Sequence, residues 1–460
     1  MNTPTQTESA LYVAPLEKFY QRLISPIEQF VHRQTSGGIV LMACIVIAMI
    51  IVNSPAEDIY RRVTHLYFGF QVGNFELKKS LIHWINDGLM VIFFLLVGLE
   101  IKREIMVGEL STISKAALPA IAALGGMVMP ALFYLLFNPD GDARSGWGIP
   151  MATDIAFAVG VLALLGKRVP SSVMTFLLAL AIADDLGAVI VIGLFYTKDL
   201  YLTYLFLAGA FWLVLLVLNL LGVRAMLPYL LVGFLLWLAM LKSGVHATLA
   251  GILIAIAIPA RPKYDPKKFS DAIRALIDTF DMHQSRSSSW QTFASKEQAS
   301  LVEAIETIAD EAASPLRKLE SNLHGFSAFF IIPVFALANG GVAVDWESLS
   351  HAFQNSVTLG VLFGLTIGKL IGISGFAWLA VKFGLGAFPE GTSLKHIIGV
   401  GWLGGIGFTM SIFIADLALD TTPALIDAAK MGILCASLVA GISGYLWLYI
   451  VSTANQTQPS

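Results

Sequence analysis

Two adjacent carboxylates, Asp184 and Asp185, lie in the middle of the apolar run Ala-Leu-Ala-Ile-Ala-Asp-Asp-Leu-Gly-Ala-Val-Ile-Val-Ile-Gly, residues 179–193. Leu177 to Phe195 is long enough to cross a bilayer as a helix, with the pair near its centre. One ionised carboxylate at that depth costs at least ~2.5–3.5 kcal/mol on insertion scales. Nothing structural needs two in a row, so the chemistry expected of them is ion or proton binding. A pair capping a buried loop would need a helix break, and Leu186, Ala188, Val189 and Ile190 continue the run instead.

Further intramembrane charges fall at the same depth. Asp154 lies about fourteen residues before the Lys167–Pro170 connection, Asp184 about fourteen after it, and Lys369 thirteen before Lys382. At ~1.5 Å per residue, all three sit roughly 20 Å from one face. An interior cluster of Asp154, Asp184, Asp185 and Lys369 is therefore expected, although Lys369 could serve only to tie two helices together. Two segments carry helix breakers near this depth. One is Gly-Trp-Gly-Ile-Pro-Met-Ala-Thr-Asp at 146–154, which sets Thr153 beside Asp154. The other spans 399–411, with Gly399, Gly401, Gly404, Gly405 and Gly407. Unwound backbone inside a membrane is tolerated only where it lines a cavity or is buried in protein. Its carbonyls and helix C-terminal ends favour a cation, its helix N-terminal ends an anion. Tight packing through small residues is the other reading of those glycines.

The elements that must hold these residues follow from composition. The chain is 56% hydrophobic and 13% charged, where soluble domains carry about 25% charged residues. The expected fold class is an all-α integral membrane protein of about twelve transmembrane helices. The segments run 37–52, 81–105, 116–137, 147–165, 171–196, 202–221, 225–241, 245–258, 325–337, 357–381, 397–417 and 424–451. A polar N-terminal tail covers 1–36 and reads as retained rather than as a signal peptide. Spans one to eight fill 37–259, an insertion occupies 260–319, four more spans fill 320–451, and a tail ends the chain at 452–460. In the outer loop 53–80, Val63 to Val72 and Phe75 to Lys78 flank Gly73-Asn74 as a hairpin. In the insertion, Ser295 to Gln298 forms a capping-box pattern. Leu301, Val302, Ile305 and Ile308 follow on one helical face, as in an amphipathic helix packed on the membrane domain. The lysine and arginine bias favours cytoplasmic termini. Cys44 and Cys435 fall in apolar segments and imply no disulfide framework.

Many stretches together carry a resemblance. They are Asn86-Asp87-Gly88, Phe94 to Glu104, Met151 to Ala158, Asp184 to Gly187, Gly244 to Gly251, Pro333 to Asn339, Ile367-Gly368-Lys369 and Gly405 to Ile412. In this order, from about Ser36 to Tyr449, they resemble the NhaA-type sodium/proton antiporters. The resemblance implies an inverted-repeat fold with broken, crossing fourth and eleventh helices. It implies that Asp185 is the principal ligand of transported Na+ or Li+, with Asp184 beside it, and that Thr153 and Asp154 lie at the crossing with Gly404, Gly405 and Gly407. It implies that Lys369 faces the site and pairs with an aspartate, Asp184 being the one expected. Glu100, Arg103, Glu104, Glu320 and His324 resemble a cytoplasmic pH-sensing funnel, and the hairpin at 62–79 resembles a homodimer contact. The implied setting is a bacterial inner membrane, with H+ as counter-ion, no cofactor and no nucleic-acid partner. Two departures touch the sensor: Ser321 stands where a histidine often follows the glutamate, and the connection before the ninth segment is long.

Competition of protons with a cation for the aspartate pair would give electrogenic, pH-regulated exchange, with two H+ per Na+. Three rivals fare worse. An intramembrane aspartyl protease would want an acid after Gly-x-Gly, but Phe408 follows Gly407. Twelve spans argue against a retinal pump with Lys369 as Schiff base. An organic-solute transporter lacks an evident aromatic or arginine lining. No nucleotide loop, soluble nucleophile or cysteine–histidine metal motif suggests an enzyme.

Overall fold

The structure is a computed structural model that describes residues 36–72, 75–197, 200–262, 266–284, 296–343 and 353–456. Its helices, in order, are α1 (Ser36–Val52), α2 (Glu57–Thr64), α3 (Leu81–Val107), α4 (Ile113–Phe137), α5 (Ile155–Leu164), α6 (Ser171–Phe195), α7 (Leu202–Leu220), α8 (Met226–Ser243), α9 (Leu249–Ala257), α10 (Pro266–Gln284), α11 (Lys296–Ala312), α12 (Pro315–Asn339), α13 (Ser356–Lys382), α14 (Leu394–Leu403), α15 (Phe408–Ala418) and α16 (Pro423–Gln456). A 3-10 helix, Asp142–Met151, precedes α5. Strand β1 (Tyr67–Val72) pairs antiparallel with β2 (Phe75–Ser80).

Among the described residues, eight helices are individually long and apolar enough to cross a membrane: α3, α4, α6, α7, α8, α12, α13 and α16. Three pairs qualify jointly but bend: α1 with α2 by 114°, the 3-10 helix with α5 by 41°, and α14 with α15 by 51°. That makes up to eleven crossings of a multi-pass membrane protein. The expected eighth segment is helical over less of its length than its apolarity suggests. Gly244, left-handed at φ 85°, ends α8, and helix resumes only at Leu249.

The two interrupted spans owe their breaks to local sequence. Gly146, Gly148 and Pro150 fall in the 3-10 stretch, where a proline removes a backbone donor. Tyrosines take up the space left by the glycines. The Gly148 N–H donates to Tyr196 Oη at 3.0 Å, and a Cβ on Gly146 would lie 2.4 Å from Tyr134 Oη. In the second span the break is confined to Gly404–Gly407, narrower than the expected 399–411. Gly399 and Gly401 stay helical within α14 and are closely packed: a Cβ on Gly399 would sit 2.3 Å from Leu448.

Helices α4 and α13 pack glycine against glycine. A Cβ on Gly372 would lie 2.1 Å from the Gly125 carbonyl oxygen, and one on Gly368 2.8 Å from Pro130 Cα. Small residues let membrane helices approach this closely. Just before Lys369, α13 widens into a π-turn at Gly364–Gly368, and the Thr366 hydroxyl donates to Leu362 O at 2.6 Å. One hydrophobic core joins α4 to α6 with α13 to α16. A second gathers α7, α8 and α9 with Leu95 and Leu99 of α3.

Two expectations outside the site are corrected. Val63 is helical, not extended, because Glu57–Thr64 forms α2, supported by the Arg61–Glu57 pair at 2.7 Å. The strands begin at Tyr67, and Gly73-Asn74 lie outside the described residues. The insertion holds two helices rather than one. Among the described residues, α11 packs chiefly on its neighbour α10, while Ile277 of α10 and Val302 of α11 stay exposed. Ser295 of the capping-box pattern lies outside the described residues.

Candidate ion-binding site

The aspartate pair sits in an unbroken α6, and both side chains are buried, at 2% exposure for Asp184 and 1% for Asp185. Asp184 Oδ2 accepts from Thr153 Oγ1 at 2.8 Å and from Lys369 Nζ. Lys369 is fully buried and also donates to Thr153 Oγ1 at 3.1 Å. The Thr153 hydroxyl stands 2.9 Å from Gly404 O as well. It has one proton to donate, so Asp184 and the Gly404 carbonyl compete for it. Four elements thus converge: α6, α13, the break before α5 and the break before α15.

The two breaks satisfy one another. Asp154 N–H donates to Ile406 O at 2.7 Å, and Ser411 Oγ donates to Ile149 O at 2.8 Å. Asp154 caps both half-helices that begin here. Its Oδ1 accepts from Phe157 N–H of α5 at 3.0 Å. Its Oδ2 accepts from Thr409 N–H of α15 at 3.2 Å and from Thr409 Oγ1 at 2.5 Å. One carboxyl group therefore faces two positive helix N-terminal ends.

The geometry separates the three acids. Asp154 is engaged through both oxygens and Asp184 through one. Asp184 Oδ1 and both oxygens of Asp185 are buried without a hydrogen-bond donor. Buried carboxylate oxygens are normally satisfied. Carboxylate oxygens without a donor can take up a proton or ligate a hard, oxygen-seeking cation.

A second cluster lies where α3 meets the start of α12. Arg103 reaches Glu320 at 2.5 Å and Glu104 at 2.9 Å, while His324 Nδ1 stands 3.8 Å from Glu100. The structure thus brings together Glu100, Arg103, Glu104, Glu320 and His324.

Some contributors escape the sequence reading. Thr409 is one, although a hydroxyl just after a Gly-x-Gly break was a usable signal. Lys102 donates to Ala255 O, Ile256 O and Ile258 O at the end of α9. Asn86 and Asn339 exchange amide hydrogen bonds between α3 and α12, at 3.3 and 2.8 Å. Asp416 pairs with Lys430 at 3.3 Å. A lone acid in the apolar run of α15 was the available clue to that pair.

Residues 28–448 match the family profile described as Na+/H+ antiporter 1. The chain belongs to that family. Among its relatives, the Na(+)/H(+) antiporter NhaA 1 of Saccharophagus degradans is 48% identical over 433 residues, covering 94% of this chain and 93% of that protein. The NhaA antiporter of Oleidesulfovibrio alaskensis is 49% identical over 437 residues, covering 95% and 96%. That of Sulfurimonas denitrificans is 47% identical over 443 residues, covering 96% and 99%. Membership in the Na+/H+ antiporter 1 family covers both interrupted spans, the aspartate pair and Lys369 alike, since all lie within the matched residues.

Proposed function

We propose that this protein is a secondary transporter that exchanges Na+ or Li+ for protons across a bacterial inner membrane, extruding sodium at the expense of inward proton flow. The observation that carries this reading is the group of three unengaged carboxylate oxygens on Asp184 and Asp185, buried in an unbroken helix against two helix breaks. Asp185 is the principal ligand and Asp184 the second, with Thr153 completing the site. Asp154 acts beside them by holding the two half-helices at the crossing, and Lys369 balances the charge of Asp184. Two carboxylates in a low-dielectric site cannot readily both stay charged without a cation. One proton leaves Asp185 and a second leaves the Asp184–Lys369 pair when the ion binds, which gives two H+ per Na+ and net charge movement. Alternating access comes from one helix unit moving against the other across twelve spans, with both termini in the cytoplasm. The cluster of Glu100, Arg103, Glu104, Glu320 and His324 sets the pH at which transport starts. The hairpin at 62–79 joins two copies into a dimer.

The test is sodium-driven dequenching of a pH dye in inverted vesicles, comparing wild type with Asp185→Asn. Dequenching in the wild type that is lost in the variant is expected. Equal signals would remove Asp185 from the site, and no signal from either would remove sodium/proton exchange. Reversal potentials in proteoliposomes test the stoichiometry, and reversal at the electroneutral value would exclude two protons per sodium.

A further inference from the structure

We propose that a bilayer phospholipid seats an acyl chain in the seam between α6 and the unit formed by α7, α8 and α9. The two larger hydrophobic cores among the described residues meet along this seam. Of the eight continuous spans, α7 is the least buried. A half-open cavity of about 460 Å³ lies there, walled by Val189 of α6, Leu205, Gly209 and Trp212 of α7, Met240 of α8 and Leu253 of α9. Val189 is one helical turn beyond Asp185, so an occupant would touch the helix that carries the ion site.

The chemistry of the walls selects the ligand. Trp212 has the only N–H among those side chains, and it already donates to Leu253 O at 3.0 Å. The space would hold roughly fifteen waters at ~30 Å³ each, yet the walls give water no partner, and water without partners is not retained in an apolar cavity. The mouth opens at Gly209, where an added Cβ would meet nothing within 4 Å. Gly209 is the eighth residue of α7, roughly 10 Å from the helix end at ~1.5 Å per residue. That places the mouth within the hydrocarbon layer, which is ~30 Å thick. Phe206, one turn away, is 76% exposed and faces the same surroundings. At that depth the surrounding medium consists of acyl chains. The site is thus a hydrocarbon slot, and it stands whether or not the chain transports sodium.

The experiment adds palmitoyl-oleoyl phosphatidylglycerol back to delipidated full-length protein and counts retained lipid by native mass spectrometry. Gly209→Leu fills the mouth and improves helix propensity, so the fold is expected to persist. Leu205→Trp fills the slot from a second position. Val214→Trp, on the opposite face of α7 and 45% exposed, is the control. Expected is one lipid per chain fewer in both filling variants, with the control equal to wild type. Equal retention in wild type and in whichever filling variant elutes as folded protein would overturn the proposal. So would a loss in Val214→Trp as large as in Gly209→Leu, because the lipid would then be bulk annular lipid.

Discussion

Asp184 and Asp185 differ by one position and occupy different chemical states. Asp184 is held by Lys369 and Thr153, while Asp185 has no donor. Removing Lys369 alone leaves a buried carboxylate uncompensated, which costs about 3–5 kcal/mol. Lys369→Met is therefore expected to lower the melting temperature in detergent, and the double variant Lys369→Met with Asp184→Asn to regain most of the loss. A double variant no more stable than the single one would show that the pair is not energetically coupled. Asp154 makes a third case. Its oxygens cap α5 and α15, so Asp154→Asn, which keeps an acceptor, should unfold less readily than Asp154→Ala. The alanine variant loses caps worth about 0.5–2 kcal/mol each. Thermal melts of the two variants side by side check the order.

At the scale of elements, the site depends on how closely helices approach. The contact of α4 with α13 leaves no room for a methyl group at Gly372, since an added Cβ would meet the Gly125 carbonyl oxygen at 2.1 Å. Gly375, one turn further on, has nothing within 4 Å of that point. Gly372→Ala is expected to cost about 1–3 kcal/mol through overpacking. Gly375→Ala should be neutral or gain up to about 1 kcal/mol from helix propensity. Melting temperatures in the opposite order would mean that the seam yields. The interrupted spans work by the same logic. Neither break could survive alone in a membrane, because its freed donors and acceptors would have no partners. Together, Asp154, Thr153, Ile406 and Gly404 satisfy one another.

At the scale of the whole molecule, two distant chain segments meet in the cluster that joins α3 to α12. Arg103 and Glu320 are 217 positions apart and touch. Under the role proposed for this cluster, Glu320→Gln removes the charge that Arg103 meets on α12, leaving Glu104 as its other partner, and moves the pH at which transport begins, while exchange at the most favourable pH persists. Antiport measured from mildly acidic to alkaline pH checks this, and a superimposable profile would dissociate the cluster from regulation. The hairpin of β1 and β2 offers a second test at this scale. A two-stranded sheet leaves strand edges open to another chain, and Tyr67 and Phe68 are exposed on it. Replacing residues 67–80 by a short linker is expected to yield monomers in light scattering. Persistent dimers would place the contact elsewhere.

The sequence by itself determined the membrane class, most of the spans and the common depth of Asp154, Asp184 and Lys369, because apolar length and charge position are local properties. It also marked both interrupted spans, since glycine and proline act on their own backbone. It could not set the width of the second break. Gly399 and Gly401 carry the same local signal as Gly404, yet they lie within α14 while Gly404 ends it. Nor could it distinguish α2 from a strand over so short a stretch. The division of labour among the three aspartates was also beyond it, because that depends on which donors reach which oxygen. Lys369, Thr153 and Thr409 come from three separate segments. The pairing of Lys369 with Asp184 was expected from the resemblance and is present, whereas tertiary structure alone decided that Asp154 caps two helices and that Asp185 is left without a donor.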